Sequence, residues 1–534
     1  MRRFTSYGPV NERKHFILPR SELVESCADH LIDDPEEGGH FFTIWAPRQT
    51  GKTWLARRAK GAIESRHPGR FSVGLVSVQG VVMKPDEPEE AFLDRLPLLF
   101  WETFRIEMDS PPKSFEEFKN LFLREKGLFR KGLFRKPLIL FIDEFDSLPR
   151  RVIDRLVTVF RDMYLKRDSY VLHGLALIGV RAVLGVESER GSPFNVQRSL
   201  HVPNFSREEV AELFRQYREE SGQAVAAEVV ERLYEVTRGQ PGLVGWFGEL
   251  LTETYNPGDG AAIDLGVWDD VFRLARVKEW NNTILNLIRK AKGEYRAHIL
   301  ELFTRSDIPF TIDAEWCGYA YLNGIIDVET VTDSRGKKTE ICRFANPFIQ
   351  HRLYNALAVE FSGEKSPVLV LEPLDELDDV FLESGVDIPA LLERYKRYLA
   401  RLRDARRDPW KGQPRRSDLH LSEAAGHFHL YSWLKQAVEE FCVVSPEFPT
   451  ENGRVDLHLD CGGTVGVIEV KSYESRPKLE KAKAQAAAYA EKLGLGSIAL
   501  AVFVPVMDEA VLDQLTGESE IGGVRVAVVA IGWM

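Results

Sequence analysis

The residues most able to do chemistry lie in the segment 46–53, which reads Ala-Pro-Arg-Gln-Thr-Gly-Lys-Thr. Gly51, Lys52 and Thr53 are the residue types that end a phosphate-binding loop. In such a loop, backbone N–H groups at a helix N-terminus, the lysine and a hydroxyl that holds Mg²⁺ together neutralise a triphosphate. Ala46 stands at the usual position of the first glycine, and its methyl group limits positive φ there. We predict that the triphosphate is bound by Ala46, Pro47, Arg48, Gln49, Thr50, Gly51, Lys52 and Thr53.

Two carboxylates, Asp143 and Glu144, follow the apolar run 138–142. A continuous apolar run of this length is typical of a buried parallel strand. We expect Asp143 to hold Mg²⁺ together with Thr53, and Glu144 to orient or deprotonate the attacking water. The alternative is a chance Gly-Lys-Thr turn followed by an ordinary helix cap.

A second group of candidate catalytic residues lies in the segment 453–471, where two predicted strands flank a Gly-Gly turn. Asp456 is on the first strand. Glu469 and Lys471 are two apart on the second, so their side chains point to the same face. A pair of carboxylates that binds Mg²⁺, with a lysine that stabilises charge or positions water, indicates metal-assisted phosphodiester hydrolysis. The alternative is an exposed Glu-Lys pair on an edge strand.

Two predicted helices support this second group. Glu423 opens the upstream helix, and we expect it to complete the surroundings of the metal. Gln485 and Tyr489 are four apart on one face of the downstream, alanine-rich helix. These two residues either pack over the site or contact a DNA backbone.

The elements that must position the first group alternate along the chain. Strand-like segments at 40–45, 71–78, 138–142 and 171–180 are separated by helical patterns, which predicts a parallel sheet covered by helices. Ligands of such sheets lie beyond the carboxyl ends of the strands. Arg181 follows the last strand, so it either contacts the γ-phosphate or is solvated.

Further patterns divide the chain. A capping box at 206–209 opens a helical region, a helix-helix-strand-strand-helix order follows, and a cluster of arginines and lysines interleaved with aromatics occupies 393–416. That cluster is either a solvated helix or a DNA contact. The predicted domains are an N-terminal segment (1–40), a P-loop core (41–205), a helical lid (206–283), a winged helix (284–360), a linker with a basic helix (361–417) and a C-terminal α/β domain (418–534).

Composition limits the class of protein. The 534 residues are 44% hydrophobic and carry a formal net charge of −11, which fits a water-soluble globular protein and excludes a uniformly basic surface. Five cysteines without paired spacing predict a reduced, intracellular chain with no zinc site. No apolar run reaches the roughly 18 residues that span a bilayer. We therefore expect a cytoplasmic protein with no membrane contact.

The first half resembles the bacterial AAA-like ATPases of the signal-transduction (STAND-type) group of P-loop NTPases. That resemblance implies an ATP cofactor and a place for Pro241 in the helical lid near the nucleotide. Ala182 stands where this group often has an aspartate after the arginine. The matching segments are 8–10, 15–19, 46–53, 142–146, 192–196 and 237–244.

Residues 418 to about 506 resemble the PD-(D/E)XK nuclease superfamily in three segments, 453–456, 468–471 and 485–489. Val455 replaces the literal proline of the motif. Nuclease domains of this kind that are fused to AAA-like ATPases often look like defence effectors against foreign DNA.

Together these patterns predict an α/β chain: a P-loop NTPase with a three-layer parallel sheet, a helical lid, a winged helix and a C-terminal restriction-endonuclease-like domain. We expect an ATP-regulated, Mg²⁺-dependent nuclease that acts on nucleic acid, in the first place DNA. A protein trigger and other copies of the same chain are further expected partners. The alternative is a signalling or scaffolding ATPase whose nuclease fold is silent and binds DNA or a protein.

Overall fold

The computed structural model describes residues 1–8, 10–84, 86–124, 133–179, 199–258, 260–303, 308–332, 338–362, 377, 379–382, 385–404, 410, 423–438, 441–450, 453–461 and 464–533. Arg181, the segment 192–196 and the basic residues of 405–409 and 411–416 lie outside this range. The chain forms two compact units. The first comprises Met1–Thr283, Ile312–Ile326 and Ala345–Pro347, and the second Ile284–Thr311, Asp327–Phe344 and Phe348–Met534.

In the first 179 residues the strands are separated by helices, whereas the described residues of 207–322 contain helices and no strand. The strands are β1 (Phe41–Trp45), β2 (Ser72–Ser77), β3 (Leu138–Asp143), β4 (Leu172–Gly179), β5 (Ser199–His201), β6 (Ile326–Thr332), β7 (Lys338–Phe344), β8 (Phe381–Leu382), β9 (Gly385–Val386), β10 (Val443–Thr450), β11 (Gly453–Cys461), β12 (Thr464–Ser472), β13 (Ser497–Val504), β14 (Gly517–Ile521) and β15 (Val524–Gly532).

The helices are α1 (Ser21–Ile32), α2 (Lys52–Arg66), α3 (Leu96–Phe104), α4 (Phe115–Asn120), α5 (Arg150–Leu165), α6 (Arg207–Ser221), α7 (Ala227–Thr237), α8 (Pro241–Glu249), α9 (Leu265–Val277), α10 (Asn282–Ala291), α11 (Arg296–Glu301), α12 (Glu315–Leu322), α13 (Pro347–Ser362), α14 (Ile388–Asp404), α15 (Glu423–Val438), α16 (Arg476–Lys492) and α17 (Glu509–Leu515). Within the described ranges, no helix is both long and apolar enough to cross a membrane.

The first unit is built on a parallel sheet with the strand order β2-β3-β4-β1-β5. Leu140 and Ile142 of β3 enter a core with α3, α4 and α5, while Ile139 and Phe141 enter a separate core with α1 and α2. Because both faces of β3 are covered, its sequence is continuously apolar. The predicted three-layer parallel sheet, typical of P-loop NTPases, is therefore confirmed.

The predicted lid contains α6, α7 and α8, and the capping box at Ser206 and Glu209 is present at the start of α6. The N-terminal segment packs against this helix. Phe16 lies 6.0 Å from the Tyr217 ring, and Arg20 forms an ion pair with Glu209 at 2.9 Å. The segment thereby ties the lid to the beginning of the chain.

The region predicted as a winged helix contains α10, α11 and α12, the two-stranded β6-β7 sheet and α13. This order includes the helices and strands that the sequence indicated. The winged-helix assignment stays a prediction.

The second unit contains a mixed sheet with the order β10-β11-β12-β13-β15-β14, in which β12, β13 and β15 run parallel. Leu500 and Val502 of β13 pack with α16 and α17. Phe503 faces the other side, where its ring lies 6.4 Å from Tyr395 of α14 and close to Gly426 of α15. Two helices therefore cover each face.

The aromatic residues of the basic segment 393–416 do not face solvent, although they are interleaved with its charges in the sequence. Tyr395, Tyr398 and Trp410 are buried, and the two tyrosine rings lie 5.3 and 6.2 Å from Trp433 of α15. The tyrosines belong to the apolar stripe of α14, which faces the sheet. These rings are therefore unavailable to stack on bases.

The expectation that no cysteines are paired is also wrong, because Cys442 and Cys461 form a disulfide. The antiparallel register of β10 and β11, which pairs Val443 with Asp460, brings these two cysteines opposite each other. A separation of 19 residues carries no local sequence signal for such a pairing. The sequence showed only the spacing, and the spacing does not reveal strand register.

Breaking this disulfide is expected to destabilise the second unit. A closed loop of this size reduces the entropy of the unfolded chain, which corresponds to about 3 kcal/mol in the free energy of unfolding. Urea unfolding with and without dithiothreitol, read with thiol alkylation, measures the change. Cys461→Ser should show the lower stability and no further response to reductant. A wild type whose two thiols are released without loss of stability would contradict the expectation.

Candidate functional site

The first candidate site is the loop that joins β1 to α2. Ala46 is buried at its start, and the left-handed residues are Gln49 (φ 58°) and Gly51 (φ 92°). The positive φ at position 51 favours glycine. Lack of space is not the reason, because an added Cβ would meet no atom within 4 Å. The residues with positive φ therefore come after Ala46, so the backbone at Ala46 is compatible with a methyl group.

Lys52 folds back onto its own loop. Its Nζ donates to the carbonyl oxygens of Ala46 at 2.9 Å and Pro47 at 2.8 Å. Burial lowers the pKa of Lys52 to about 8, and the nearby carboxylates of Glu144, Asp146 and Asp143 only partly oppose this. A bound triphosphate would favour the charged form of the same amine.

The predicted Mg²⁺ ligands of this site meet. Thr53 Oγ1 donates to Asp143 Oδ2 at 2.7 Å, and the Glu144 N–H donates to Asp143 Oδ1 at 3.0 Å. A hydroxyl and a buried carboxylate are the oxygen ligands that Mg²⁺ takes in P-loop proteins, so these residues fit the ion. Burial, and then the charges of Asp143 and Asp146, raise the pKa of Glu144, which suits a group that accepts a proton.

Asp146 is a member of this site that we assigned no role from the sequence. Its Oδ1 is buried without a hydrogen-bond partner in the described part of the chain. It lies against Gly179 at the end of β4, where an added Cβ would be 2.6 Å from that oxygen. Its spacing, three residues after Asp143 at a strand end, was the available signal.

Two other elements of the first unit contact the loop. Gln240, at the start of α8, donates from Nε2 to the Arg48 carbonyl at 3.1 Å. The next residue is Pro241, the first residue of α8, so the structure places it beside the loop. Gly242 approaches so closely that an added Cβ would lie 2.6 Å from Gln49 Cβ. A Cβ on Gly324, which follows α12, would lie 2.8 Å from Pro47 Cβ.

The second candidate site lies where β11 and β12 pair. The register that pairs Leu457 with Ile468 brings Asp456 level with Glu469. The Val470 N–H donates to Asp456 Oδ2 at 2.6 Å, and Lys471 Nζ lies 3.4 Å from that oxygen. Lys471 Nζ is also 3.2 Å from Glu469 Oε2. The structure thus brings all three predicted residues together.

Glu469 is 3% exposed, and its Oε1 has no hydrogen-bond partner among the residues described. Burial, and then the charge of Asp456, raise the pKa of Glu469 to about 8. Burial alone would lower the pKa of Lys471, but Asp456, Glu469 and Glu423 outweigh it and raise that pKa well above its ordinary value. Perturbed carboxylates of this kind cluster at functional sites.

The helical residues predicted to support this site have different positions. Glu423, in the first turn of α15, is close enough to contribute to the pKa of Lys471. Gln485 Nε2 donates to Tyr489 Oη at 2.8 Å on α16. None of the hydrogen bonds described for Gln485 and Tyr489 reaches the carboxylates.

The two carboxylates alone do not form a complete metal cage. Within the described ranges, no group of three or more His, Cys, Asp and Glu side chains is arranged to hold an ion. Mg²⁺, however, is commonly bound by one or two carboxylates together with water and substrate phosphate. The unpartnered, buried Glu469 Oε1 beside Asp456 fits that kind of binding.

Solved structures similar to this chain include a Walker-type ATPase of Pyrococcus abyssi, with 16% identity over 65% of this chain and 98% of that one and a TM-score of 0.41. The Holliday junction branch migration motor RuvB of Thermotoga maritima has 14% identity over 63% and 95%, with a TM-score of 0.33. The ORC1 protein of Aeropyrum pernix, in complex with DNA, has 15% identity over 64% and 93%, with a TM-score of 0.31. No family model and no curated protein matches the chain. At these TM-scores the similarities carry no argument, so the assignment of a P-loop NTPase-like fold rests on the sheet order and the loop.

Gly242→Ala is expected to weaken nucleotide binding, because its methyl group would displace Gln49 and the loop with it. Overpacking of this kind costs about 1–3 kcal/mol, which corresponds to roughly a 5- to 150-fold loss of ATP affinity where the cost falls on the nucleotide-bound loop. Titration calorimetry measures the ATP affinity, and thermal unfolding measures the stability of each variant. Gly61→Ala is the matched control, since Gly61 lies in α2 with no atom within 4 Å of an added Cβ. Equal ATP affinity in the two variants would contradict the expected contact.

Stabilisation of the second unit by Mg²⁺ is expected to increase between pH 6.5 and pH 8.5. The raised pKa of Glu469, about 8 against 4.5, stabilises the metal-free fold at low pH, and this contribution is lost as the pH rises through about 8. The metal requires the ionised carboxylate, so the two effects widen the difference in Tm with and without Mg²⁺. Glu469→Gln should remove the pH dependence. A Tm difference that is constant over this range would disprove the assignment.

Proposed function

We propose that the chain is an ATP-binding, divalent-metal-dependent nuclease that hydrolyses phosphodiester bonds of DNA under the control of bound nucleotide. The observation that carries the nuclease assignment is the meeting of Asp456, Glu469 and Lys471, with one Glu469 oxygen buried and unpartnered among the described residues. A buried polar atom without a partner costs about 1–3 kcal/mol. A function that uses this atom explains why the chain retains it.

A divalent cation bound to Asp456 and Glu469 would polarise the phosphodiester and lower the pKa of a coordinated water. The residues of the chain prepare the site for this. The Val470 N–H holds the Asp456 carboxylate in place. Lys471, whose side chain is 25% exposed, contacts both carboxylates. Its amine is therefore placed to stabilise negative charge that develops on the phosphoryl oxygens.

ATP binding is proposed for the loop of the first unit. Lys52 would exchange its two carbonyl partners for phosphate oxygens, and Thr53 and Asp143 would hold Mg²⁺. Glu144, whose pKa is raised by burial, would orient or deprotonate the attacking water. Contacts of Gln240 and Gly242 with Arg48 and Gln49 would report the state of the loop to the lid.

Charge supports a nucleic-acid substrate for the second unit. Arg476, Lys478 and Lys481 lie exposed in the first turns of α16, in the same unit as the carboxylates. Exposed basic side chains provide the contacts that hold a phosphate backbone. A DNA-cleaving enzyme under nucleotide control would also suit a defence effector, because hydrolysis alone destroys foreign DNA.

One observation favours a second candidate, a signalling ATPase with a silent nuclease fold. The Lys471 amine already lies within 3.4 Å of both carboxylates, so it partly neutralises them without a cation. In a binding-only protein this ion-paired cluster would be structural. The two candidates differ in whether Mg²⁺ binds in a manner that depends on Glu469.

The test is cleavage of linear and circular DNA with Mg²⁺, with and without ATP. Glu469→Gln is expected to reduce cleavage by about 10²-fold or more, because a neutral amide cannot replace the carboxylate ligand. Lys52→Ala is expected to abolish the response to ATP while leaving the carboxylate site intact. Glu520→Gln on β14 and Lys60→Ala on α2 are the matched controls outside the two sites.

Wild-type protein that leaves DNA and RNA intact under every nucleotide condition would overturn the nuclease proposal. If it also shows no Glu469-dependent rise of Tm with Mg²⁺, the silent-fold candidate is favoured instead. Cleavage that is equal in wild type and Lys52→Ala at all ATP concentrations would refute the nucleotide control alone.

A further inference from the structure

A buried histidine contacts the main chain of Asp456. His427, on α15, is 2% exposed, and its Nε2 is 2.8 Å from the Asp456 carbonyl oxygen. Because a carbonyl oxygen only accepts, Nε2 must carry the proton. The other ring nitrogen, Nδ1, is then an acceptor, and the hydroxyl of Tyr354 lies 3.2 Å from it. The same hydroxyl is 3.4 Å from the His427 carbonyl oxygen.

Asp456 is thus held at its side chain and at its main-chain carbonyl. Its carboxylate is fixed by the Val470 N–H and by Lys471, and its main-chain carbonyl by His427. A shift of the main chain at this residue would move the carboxylate away from Glu469. The contact with His427 therefore acts on the geometry of the site without touching any reacting group.

Tyr354 ties this contact to a second helix. It is completely buried on α13, where its ring lies 4.5 Å from Tyr431 and 4.7 Å from Phe428, both on α15. Tyr431 Oη also donates to Asn355 Oδ1. The aromatic packing leaves the Tyr354 hydroxyl little freedom, so a displacement of α13 would reach the His427 ring.

We propose that His427 is a positioning residue for Asp456 and that Tyr354 fixes the tautomer and orientation of His427. The chain Tyr354–His427–Asp456 would then transmit the position of α13 to the carboxylates. This inference rests on the proposed nuclease function, and it assigns to two residues outside the predicted motifs a role in setting the activity of the site.

A second histidine on the same helix provides the comparison. His429 is also buried, and its Nδ1 lies 2.7 Å from the hydroxyl of Tyr395 on α14. The two His–Tyr pairs share burial, helix and type of hydrogen bond. They differ because His427 contacts Asp456, whereas the hydrogen bond described for His429 is to Tyr395. Removing either pair should cost stability, but only the first should change the chemistry.

The experiment compares His427→Leu, His427→Gln and Tyr354→Phe with the matched controls His429→Leu and Tyr395→Phe in the full chain. Thermal unfolding, Mn²⁺ affinity and the kcat and KM of DNA cleavage are measured for each. His427→Leu is expected to lower Mn²⁺ affinity and kcat by about 10–100-fold, the usual effect of losing a residue that orients a metal ligand. The KM for DNA should stay within about twofold, because no DNA contact is removed.

His427→Gln should recover most of kcat, since its side-chain amide N–H can reach the Asp456 carbonyl. Tyr354→Phe removes one hydroxyl and is expected to keep the fold, with kcat reduced by about three- to tenfold. The double variant Tyr354→Phe/His427→Leu should be no worse than His427→Leu, because the tyrosine acts through the histidine. His429→Leu and Tyr395→Phe should lower Tm and leave kcat and Mn²⁺ affinity within about twofold.

The proposal is overturned if wild type cleaves DNA while His427→Leu and Tyr354→Phe lose no more activity than the controls. It is also overturned if His427→Gln is as inactive as His427→Leu. If His427→Leu does not fold, a Tyr354→Phe variant whose kcat equals that of Tyr395→Phe overturns it as well. If wild-type protein neither binds Mn²⁺ nor cleaves DNA, the proposed function is refuted, and the inference with it. An active wild type whose activity does not depend on His427 refutes the inference alone.

Discussion

The register between β11 and β12 is the constraint on which the carboxyl-terminal site depends. It places Asp456 level with Glu469 and lets the Val470 N–H reach the Asp456 carboxylate. A slip of one residue would turn Asp456 to the opposite face of the sheet and separate the two acidic groups. The buried side chains of Leu457 and Ile468 favour this register, while the Cys442–Cys461 disulfide fixes β11 against its other neighbour, β10.

The nucleotide loop depends on a different constraint, the close approach of neighbouring elements. Two glycines, at 242 and 324, allow α8 and the turn after α12 to reach Gln49 and Pro47. Larger side chains at either position would force the loop outward. Tight backbone packing therefore shapes the candidate triphosphate site, while ion pairs and burial shape the carboxylate site.

Much of this arrangement was predictable because it follows from local patterns. The apolar run 138–142, its two carboxylates and the Gly-Lys-Thr sequence together predicted a parallel sheet and the meeting of Thr53 with Asp143. The spacing of Glu469 and Lys471 predicted a shared face, because side chains alternate along a strand. The roles of these residues, the domain boundaries and the winged helix stay predictions.

Features that depend on distant contacts were not predictable. The disulfide needs strand register, and the burial of Tyr395 and Trp410 needs the sheet that covers them. In a basic segment, aromatic residues at helical spacing fit a core and a nucleic-acid surface equally well. His427 was missed because its contact is with Asp456, far along the chain. Asp146 had a local signal, its spacing after Asp143, but its position against Gly179 depends on the sheet.

The hydrogen bonds of Lys52 have a consequence for which anions the loop accepts. Its amine donates to two carbonyl oxygens of the same loop, so the lysine already has hydrogen-bond partners within the protein. A phosphate that binds at this loop would have to replace these carbonyl oxygens as the hydrogen-bond acceptors of Lys52. An anion that is a weaker acceptor than a carbonyl oxygen would therefore gain little from the lysine, so this arrangement would favour phosphate groups over weakly accepting anions.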